Sequence, residues 1–210
     1  MRKPLIITGT DTGIGKTIFA AALTRALQAT YWKPVQCGLD EETDSEIVHR
    51  LSGCEVLPEA YRLAMPASPH LAAEAEKVMI SAAALDLPDV SGPLIIEGAG
   101  GVMVPLNREM LFLNMFSRWK APVILCARTR LGTINHTLLS LHALRHAGCE
   151  VLGVAFIGAP EEAVEASIAA FGKVRRLGRL PILQTITQAT LETAFDDCFD
   201  GWDFVETERG

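Results

Sequence analysis

The chain has 210 residues, 49% of them apolar and 21% charged, with a formal net charge of −6. That describes a globular chain with one sizeable core and gives no support for nucleic acid or an anionic membrane as partner. Its five cysteines (Cys37, Cys54, Cys126, Cys149 and Cys198) lack C-x-x-C spacing, which favours reduced thiols in the cytoplasm over disulfides or zinc. The apolar run after Arg2 and Lys3 is too short for a signal peptide, and nothing approaches the roughly 20 apolar residues of a membrane span.

Residues 5–7 form an apolar run that predicts a buried strand. After Thr17, the positions of Ile18, Phe19, Ala22, Leu23, Ala26 and Leu27 predict a helix. The glycine-rich turn between them ends in Gly15-Lys16-Thr17, the strand–loop–helix context of a phosphate-binding loop. Thr10 stands where the first glycine of G-x-x-x-x-G-K-[ST] belongs, with Gly9 one residue earlier. Backbone N–H groups of such a turn and of the helix start carry partial positive charge towards phosphate oxygens. Lys16 would then neutralise the β and γ phosphates, and the Thr17 hydroxyl would ligate Mg²⁺.

Further along, residues 31–35 predict a short strand carrying Lys33-Pro34. A polar loop follows at 38–43, then a helix over 44–51 opening on Asp44. Residues 58–69 hold three prolines and predict irregular structure, followed by helical pattern at 70–77 and 81–87. A second apolar run, 93–97, ends in Glu97 and then Gly98-Ala99-Gly100-Gly101. Helices are predicted over 111–119, 133–147, 161–174 and 188–195, and strands over 122–127, 151–157 and 180–183, with an acidic tail expected to fray.

Continuously apolar strands alternating with helices predict a single α/β domain over 1–210, a mostly parallel sheet with helices on both faces. Ligands of such sheets bind beyond the carboxyl ends of the strands. Those positions hold the 10–17 loop, Lys33, residues 97–101, 128–132, Ile157-Gly158 and 181–183. Glu97 stands where a P-loop protein places a carboxylate facing Mg²⁺; a strand-end Glu can also pair a surface Lys, but the glycine run after it, which lets backbone approach a ligand, favours the first reading. Asp44 can be explained by the helix dipole alone, and a lone strand-end lysine such as Lys33 is usually solvated. His70 and His136 read best as core histidines with satisfied hydrogen bonds.

As a set these pieces resemble dethiobiotin synthetase. The matching stretches are Thr8-Gly9-Thr10-Asp11-Thr12 with Gly15-Lys16-Thr17, Lys33-Pro34-Val35, and Ser68-Pro69-His70. They continue with Glu97-Gly98-Ala99-Gly100-Gly101 plus Pro105-Leu106, Leu131-Gly132 with Ile134-Asn135-His136, and His146-Ala147-Gly148. The resemblance implies a P-loop NTPase-like fold, a cytoplasmic homodimer, and Mg²⁺- and ATP-dependent closure of a ureido ring on 7,8-diaminopelargonate with CO₂. Carried over, Thr12, Gly13, Ile14, Gly15, Lys16, Thr17 and Ile18 would hold the phosphates, with Gly98, Ala99 and Gly100 beside them. Thr17, Asp44 and Glu97 would face the metal. Lys33, with Lys16 as second catalytic lysine, would lie between the γ-phosphate and the substrate carbamate. Asn135 would help bind the substrate carboxylate across the dimer interface.

Several positions depart from the family pattern. Gly13 replaces an acidic residue of many members, and Cys37 replaces a serine that often contacts substrate. Ile157-Gly158 falls where some relatives carry an adenine-reading asparagine, so the base would be held by backbone, with Pro181, Ile182 and Leu183 lining its pocket. Loose base selectivity is the expectation. The alternative reading is a nucleotide-switch ATPase of the partitioning type, which usually places a signature lysine where this chain has Thr10 and Asp11. An amidoligase relative would carry an extra glutaminase domain, for which 210 residues leave no room.

Overall fold

The computed structural model describes residues 4–205. Seven strands form one all-parallel sheet: β1 (Leu5–Gly9), β2 (Thr30–Trp32), β4 (Val56–Leu57), β6 (Leu94–Gly101), β7 (Val123–Arg128), β8 (Val151–Ile157) and β9 (Arg176–Leu180), in the order β4-β2-β6-β1-β7-β8-β9. Two further strands, β3 (Val35–Cys37) and β5 (Tyr61–Leu63), pair in parallel as a separate ribbon.

Both faces of the sheet are covered because successive side chains of a strand point to opposite sides. Leu5 and Ile7 join one core with α1 (Lys16–Leu27), α2 (Asp44–Ser52) and α7 (Gln188–Cys198). Ile6 joins the other, with α3 (Pro69–Ala75), α4 (Phe112–Trp119), α5 (Thr133–His146) and α6 (Glu162–Gly172). In β7 the same alternation sends Val123, Leu125 and Ala127 one way, and Ile124 and Cys126 the other. Each fully buried side chain of this size contributes about 1.5–3 kcal/mol. No helix among the described residues is long and apolar enough to cross a membrane, and all five cysteines are free.

Five features differ from the sequence expectations. The 31–35 strand is split at Lys33-Pro34, because Pro34 has no N–H to donate to a ladder; the chain leaves the sheet there and restarts as β3. The proline-rich 58–69 segment contains β5, whose Tyr61 N–H bonds to the Pro34 carbonyl. The 81–87 stretch is helical only as a 3₁₀ turn at Ala83–Leu85. The last strand is Arg176–Leu180 rather than 180–183. Its arginines disguise it, and Pro181 stops it. The tail does not fray through residue 205: a 3₁₀ turn at Gly201–Phe204 packs Phe204 among Phe19, Phe195 and Phe199. Residues 206–210 lie outside the described residues.

Candidate active site

The central strand β1 has β6 on one side and β7 on the other, and the loop after it opens α1. Gly15 adopts the left-handed conformation (φ 94°) that lets the chain turn into the helix, and a Cβ there would come within 3.0 Å of Ile157 Cγ2. No side chain caps α1 and no acid occupies its first turn, so its leading N–H groups are free for an anion. α2 is the opposite case, closed by a capping box in which Thr43 Oγ1 accepts from Glu46 N–H and Glu46 accepts from Thr43 N–H.

In front of the open helix end lies a cavity of about 590 Å³. It is lined by Thr12, Gly13, Ile14, Gly15, Lys16 and Thr17 from the loop, Lys33 after β2, Cys37 on β3, Asp44 heading α2, and Glu97, Ala99 and Gly100 on β6. Gly100 is required there: its φ is +64°, and a Cβ would meet Val104 Cγ2 at 2.8 Å and Thr12 Oγ1 at 3.2 Å.

Within the cavity two carboxylates and two lysines meet. Lys33 Nζ contacts Asp44 Oδ2 at 2.5 Å, Glu97 Oε1 at 3.2 Å and the Gly98 carbonyl at 3.3 Å. Its side chain is only 4% exposed and that of Glu97 1%, so neither reads as a solvated surface group. Burial opposes the Lys33 charge, but Glu97 and Asp44 outweigh it and hold its pKa above the ordinary lysine value. Asp44 is likewise penalised by burial, yet Lys33 and the Thr17 hydroxyl hold its pKa below the usual carboxylate range. Lys16 differs: burial dominates and its pKa is lowered. Its Nζ donates to the Asp11 carbonyl at 2.9 Å.

Thr17 Oγ1 lies 2.9 Å from Asp44 Oδ1 and 3.0 Å from Glu97 Oε1. One hydroxyl has one proton, so it cannot donate to both. Lys33 is the second donor to Glu97 Oε1, and the three oxygens that converge here, one hydroxyl and two carboxylate, are a donor set suited to a hard divalent cation. Mg²⁺ bound by one or two carboxylates together with water and phosphate needs no more protein ligands than these, and no cluster of three or more His, Cys, Asp or Glu occurs among the described residues. Glu97 Oε2 accepts from Tyr31 OH at 2.8 Å. Burial and then Glu97 push the Tyr31 pKa well above normal, so Tyr31 stays a neutral donor.

Other expected site residues lie apart from this cavity. Ile18 is half-buried in α1, and Gly98 contributes its carbonyl from behind Lys33. Ile157 backs the phosphate loop through Gly15, and Gly158 N–H donates to the Leu180 carbonyl. Pro181 and Leu183 edge a different hollow against α7, and Ile182 is exposed. Asn135 is exposed on the first turn of α5. The core-histidine reading fails for His136, which is exposed, whereas half-buried His70 has Ser68 Oγ within 3.0 Å of Nδ1. Burial raises the Cys37 thiol pKa to about 11, with Lys33 opposing, so it stays protonated at neutral pH. Gln36, Ser68 and Val104 also line the cavity; no spacing in the chain marks Gln36 or Val104 for it.

An open helix N-terminus after a central parallel strand, with a lysine, a threonine and a strand-end carboxylate before it, defines a P-loop α/β protein of the nucleoside-triphosphatase type. A family model described as an AAA domain matches residues 3–190. Solved structures share the fold: a ParA family ATPase from Chlorobium tepidum TLS (TM-score 0.57, 9% identity, 93% of this chain and 91% of that one) and the cell division ATPase MinD of Pyrococcus furiosus (TM-score 0.52, 17% identity, 86% and 84%). Nearer in sequence are the ATP-dependent dethiobiotin synthetase BioD of Rhodopseudomonas palustris strain HaA2, 57% identical over 98% of both chains, and that of Agrobacterium fabrum strain C58, 58% identical over 96% of both. The chain belongs to the ATP-dependent dethiobiotin synthetase family.

Proposed function

We propose that the protein closes the ureido ring of dethiobiotin, consuming 7,8-diaminopelargonate, CO₂ and ATP and releasing ADP and phosphate. Family membership supports the activity. The observation that carries the site is the meeting of Lys16, Lys33, Thr17, Asp44 and Glu97 in one cavity before the open end of α1. The chain 1–210 acts as one catalytic domain, in the cytoplasm, as a homodimer with no nucleic acid or membrane partner.

One substrate amine takes up CO₂ and loses a proton to give a carbamate. A carbamate oxygen attacks the γ-phosphorus and ADP leaves. The second amine attacks the carbonyl carbon of the resulting carbamic–phosphoric anhydride, phosphate departs, and loss of a proton leaves the five-membered ring. Anionic charge builds on carbamate and phosphate together, and the residues answer that need. Residues 12–18 and Lys16 hold the phosphates; Lys33, kept protonated by Asp44 and Glu97, lies between γ-phosphate and carbamate. Thr17, Asp44 and Glu97 would hold Mg²⁺, which would supply positive charge against the developing phosphate charge. Tyr31 fixes Glu97 from behind. Cys37 flanks the substrate, and Asn135 reaches the carboxylate of substrate bound by the partner subunit. Ile157, Gly158, Pro181, Ile182 and Leu183 border the base.

The test is phosphate release from Mg²⁺-ATP and bicarbonate with and without 7,8-diaminopelargonate, with mass spectrometry of the product. Release that depends on the diamine and matches dethiobiotin formed is the expected result. Release indifferent to the diamine would favour the partitioning-type ATPase instead.

A further inference from the structure

We propose that Arg128 is a charge-neutralising, positioning residue for the phosphate loop, acting through Asp11. This rests on the cavity before α1 being a nucleotide site. Gly9 of β1 pairs Cys126 of β7; two residues further along, Asp11 just past the end of β1 meets Arg128, the last residue of β7. Arg128 Nη2 donates to Asp11 Oδ2 at 2.5 Å. Asp11 has two other contacts within the loop: its Oδ1 accepts from Thr12 N–H at 2.8 Å, and its carbonyl accepts from Lys16 Nζ at 2.9 Å. The arginine thus holds the residue that in turn holds the phosphate lysine.

Both side chains are too exposed, 36% for Arg128 and 45% for Asp11, for the pair to contribute much to folding. Its value lies in charge. The cavity already holds two lysines, Lys16 and Lys33, and two carboxylates, Asp44 and Glu97, both of which pair with Lys33. Asp11 places a further carboxylate on the loop that must receive a polyanion, and Arg128 is the cation that cancels it. Without Arg128, an uncompensated carboxylate stands on the loop one residue from the cavity-lining Thr12, a range over which partly screened charges still interact.

The experiment is nucleotide titration of the full chain carrying Arg128→Ala, Arg128→Lys, Asp11→Asn, and Arg128→Ala with Asp11→Asn, at low and high salt. Arg128→Ala is expected to weaken ATP binding about tenfold at low salt and less at high salt, as a partly screened like charge would. ATP should be affected more than AMP, and the KM for ATP should rise more than kcat falls. Arg128→Lys should bind within about threefold of the parent chain, because the charge is kept. The decisive variant is the double one: Asn keeps the acceptor for Thr12 N–H and removes the charge, so it should restore most of the lost affinity. Melting temperatures close to the parent's would show that each variant is folded. Equal weakness of the single and double variants would overturn the proposal, assigning Arg128 to direct nucleotide contact or to loop structure. Parent-like affinity of Arg128→Ala would overturn it too. Binding is read here without the diamine, so failure of dethiobiotin synthesis leaves the result standing, whereas a parent chain that binds no nucleotide removes both readings.

Discussion

Two clusters of buried charge occupy this fold, and they are built to different ends. In the first, Glu97 meets Lys33, Asp44, Thr17 and Tyr31 beside the cavity. In the second, Glu165 of α6 is wholly buried, with Arg176 Nη2 at 2.9 Å and Arg179 Nε at 3.0 Å, both from β9. The second is closed: Glu165 has no exposed surface, its contacts lie off the hydrogen-bond directions, and its two cations match Glu165 and Glu162. It fastens a charged strand to the helix before it. The first opens on about 590 Å³ of space, and its hydroxyl, two carboxylates and lysine bond to one another at the wall of that cavity. Burial of charge is common to both, so burial alone does not mark a site. Open space beside the charges does.

Replacing one residue from each cluster separates the two roles. Lys33→Ala should lower turnover by about a hundredfold or more, the scale expected when a group stabilising transition-state charge is lost, while nucleotide affinity shifts little. Survival of turnover within tenfold would remove Lys33 from the chemistry. Glu165→Gln should instead cost about 3 kcal/mol in urea unfolding, because it breaks a buried pair, with kcat of the folded enzyme unchanged. A kcat loss there would erase the contrast.

The two lysines of the open cluster sharpen it further, because their pKa values move in opposite directions. The Lys33 pKa is raised by its carboxylates, so its stabilisation is complete below the unfolded value near 10.4 and fades as pH rises through the higher folded value. The Asp44 pKa is lowered, so its share is present above the unfolded value near 3.9 and fades as pH falls through the lower folded value. Lys16 has the reverse sign: its buried charge costs stability below its lowered pKa, and the cost is relieved as pH rises towards the unfolded value. Lys16→Met should therefore raise the melting temperature of the ligand-free protein by about 2–4 °C while weakening nucleotide binding. A lower melting temperature would mean that the contact to the Asp11 carbonyl outweighs the burial cost. Smallest of all should be the effect of changing the base. Comparable turnover with ATP, CTP and GTP is expected, since neither Ile157 nor Gly158 offers a side chain to read it; strict dependence on ATP would contradict this.

How legible these regions were in the sequence follows from the same physics. Lys16, Thr17 and Glu97 sit at strand ends next to glycines and can be singled out from spacing, whereas Asp44 and Lys33 read locally as a helix-start acid and a solvated lysine and enter the site only through the family resemblance. The closed cluster was hidden, because Arg-Leu-Gly-Arg-Leu reads as a polar stretch until Glu165 is found beneath it. That is why the last strand was expected a few residues late. Contacts between strands distant in sequence were equally hidden. Arg128 meets Asp11 only because β7 lies beside β1, and Tyr31 meets Glu97 only because β2 lies beside β6. Periodicity reports which face a residue takes but not which strand stands next to it.

The most direct measurement supplies ¹³C-bicarbonate, Mg²⁺-ATP and 7,8-diaminopelargonate to the parent chain, Lys33→Ala and Glu165→Gln, and follows labelled product and phosphate together. One labelled ureido carbon per phosphate released by the parent and by Glu165→Gln, with both nearly absent from Lys33→Ala, is the expected result. Label and phosphate that do not rise together, or a Lys33→Ala variant that makes product as fast as the parent, would contradict it.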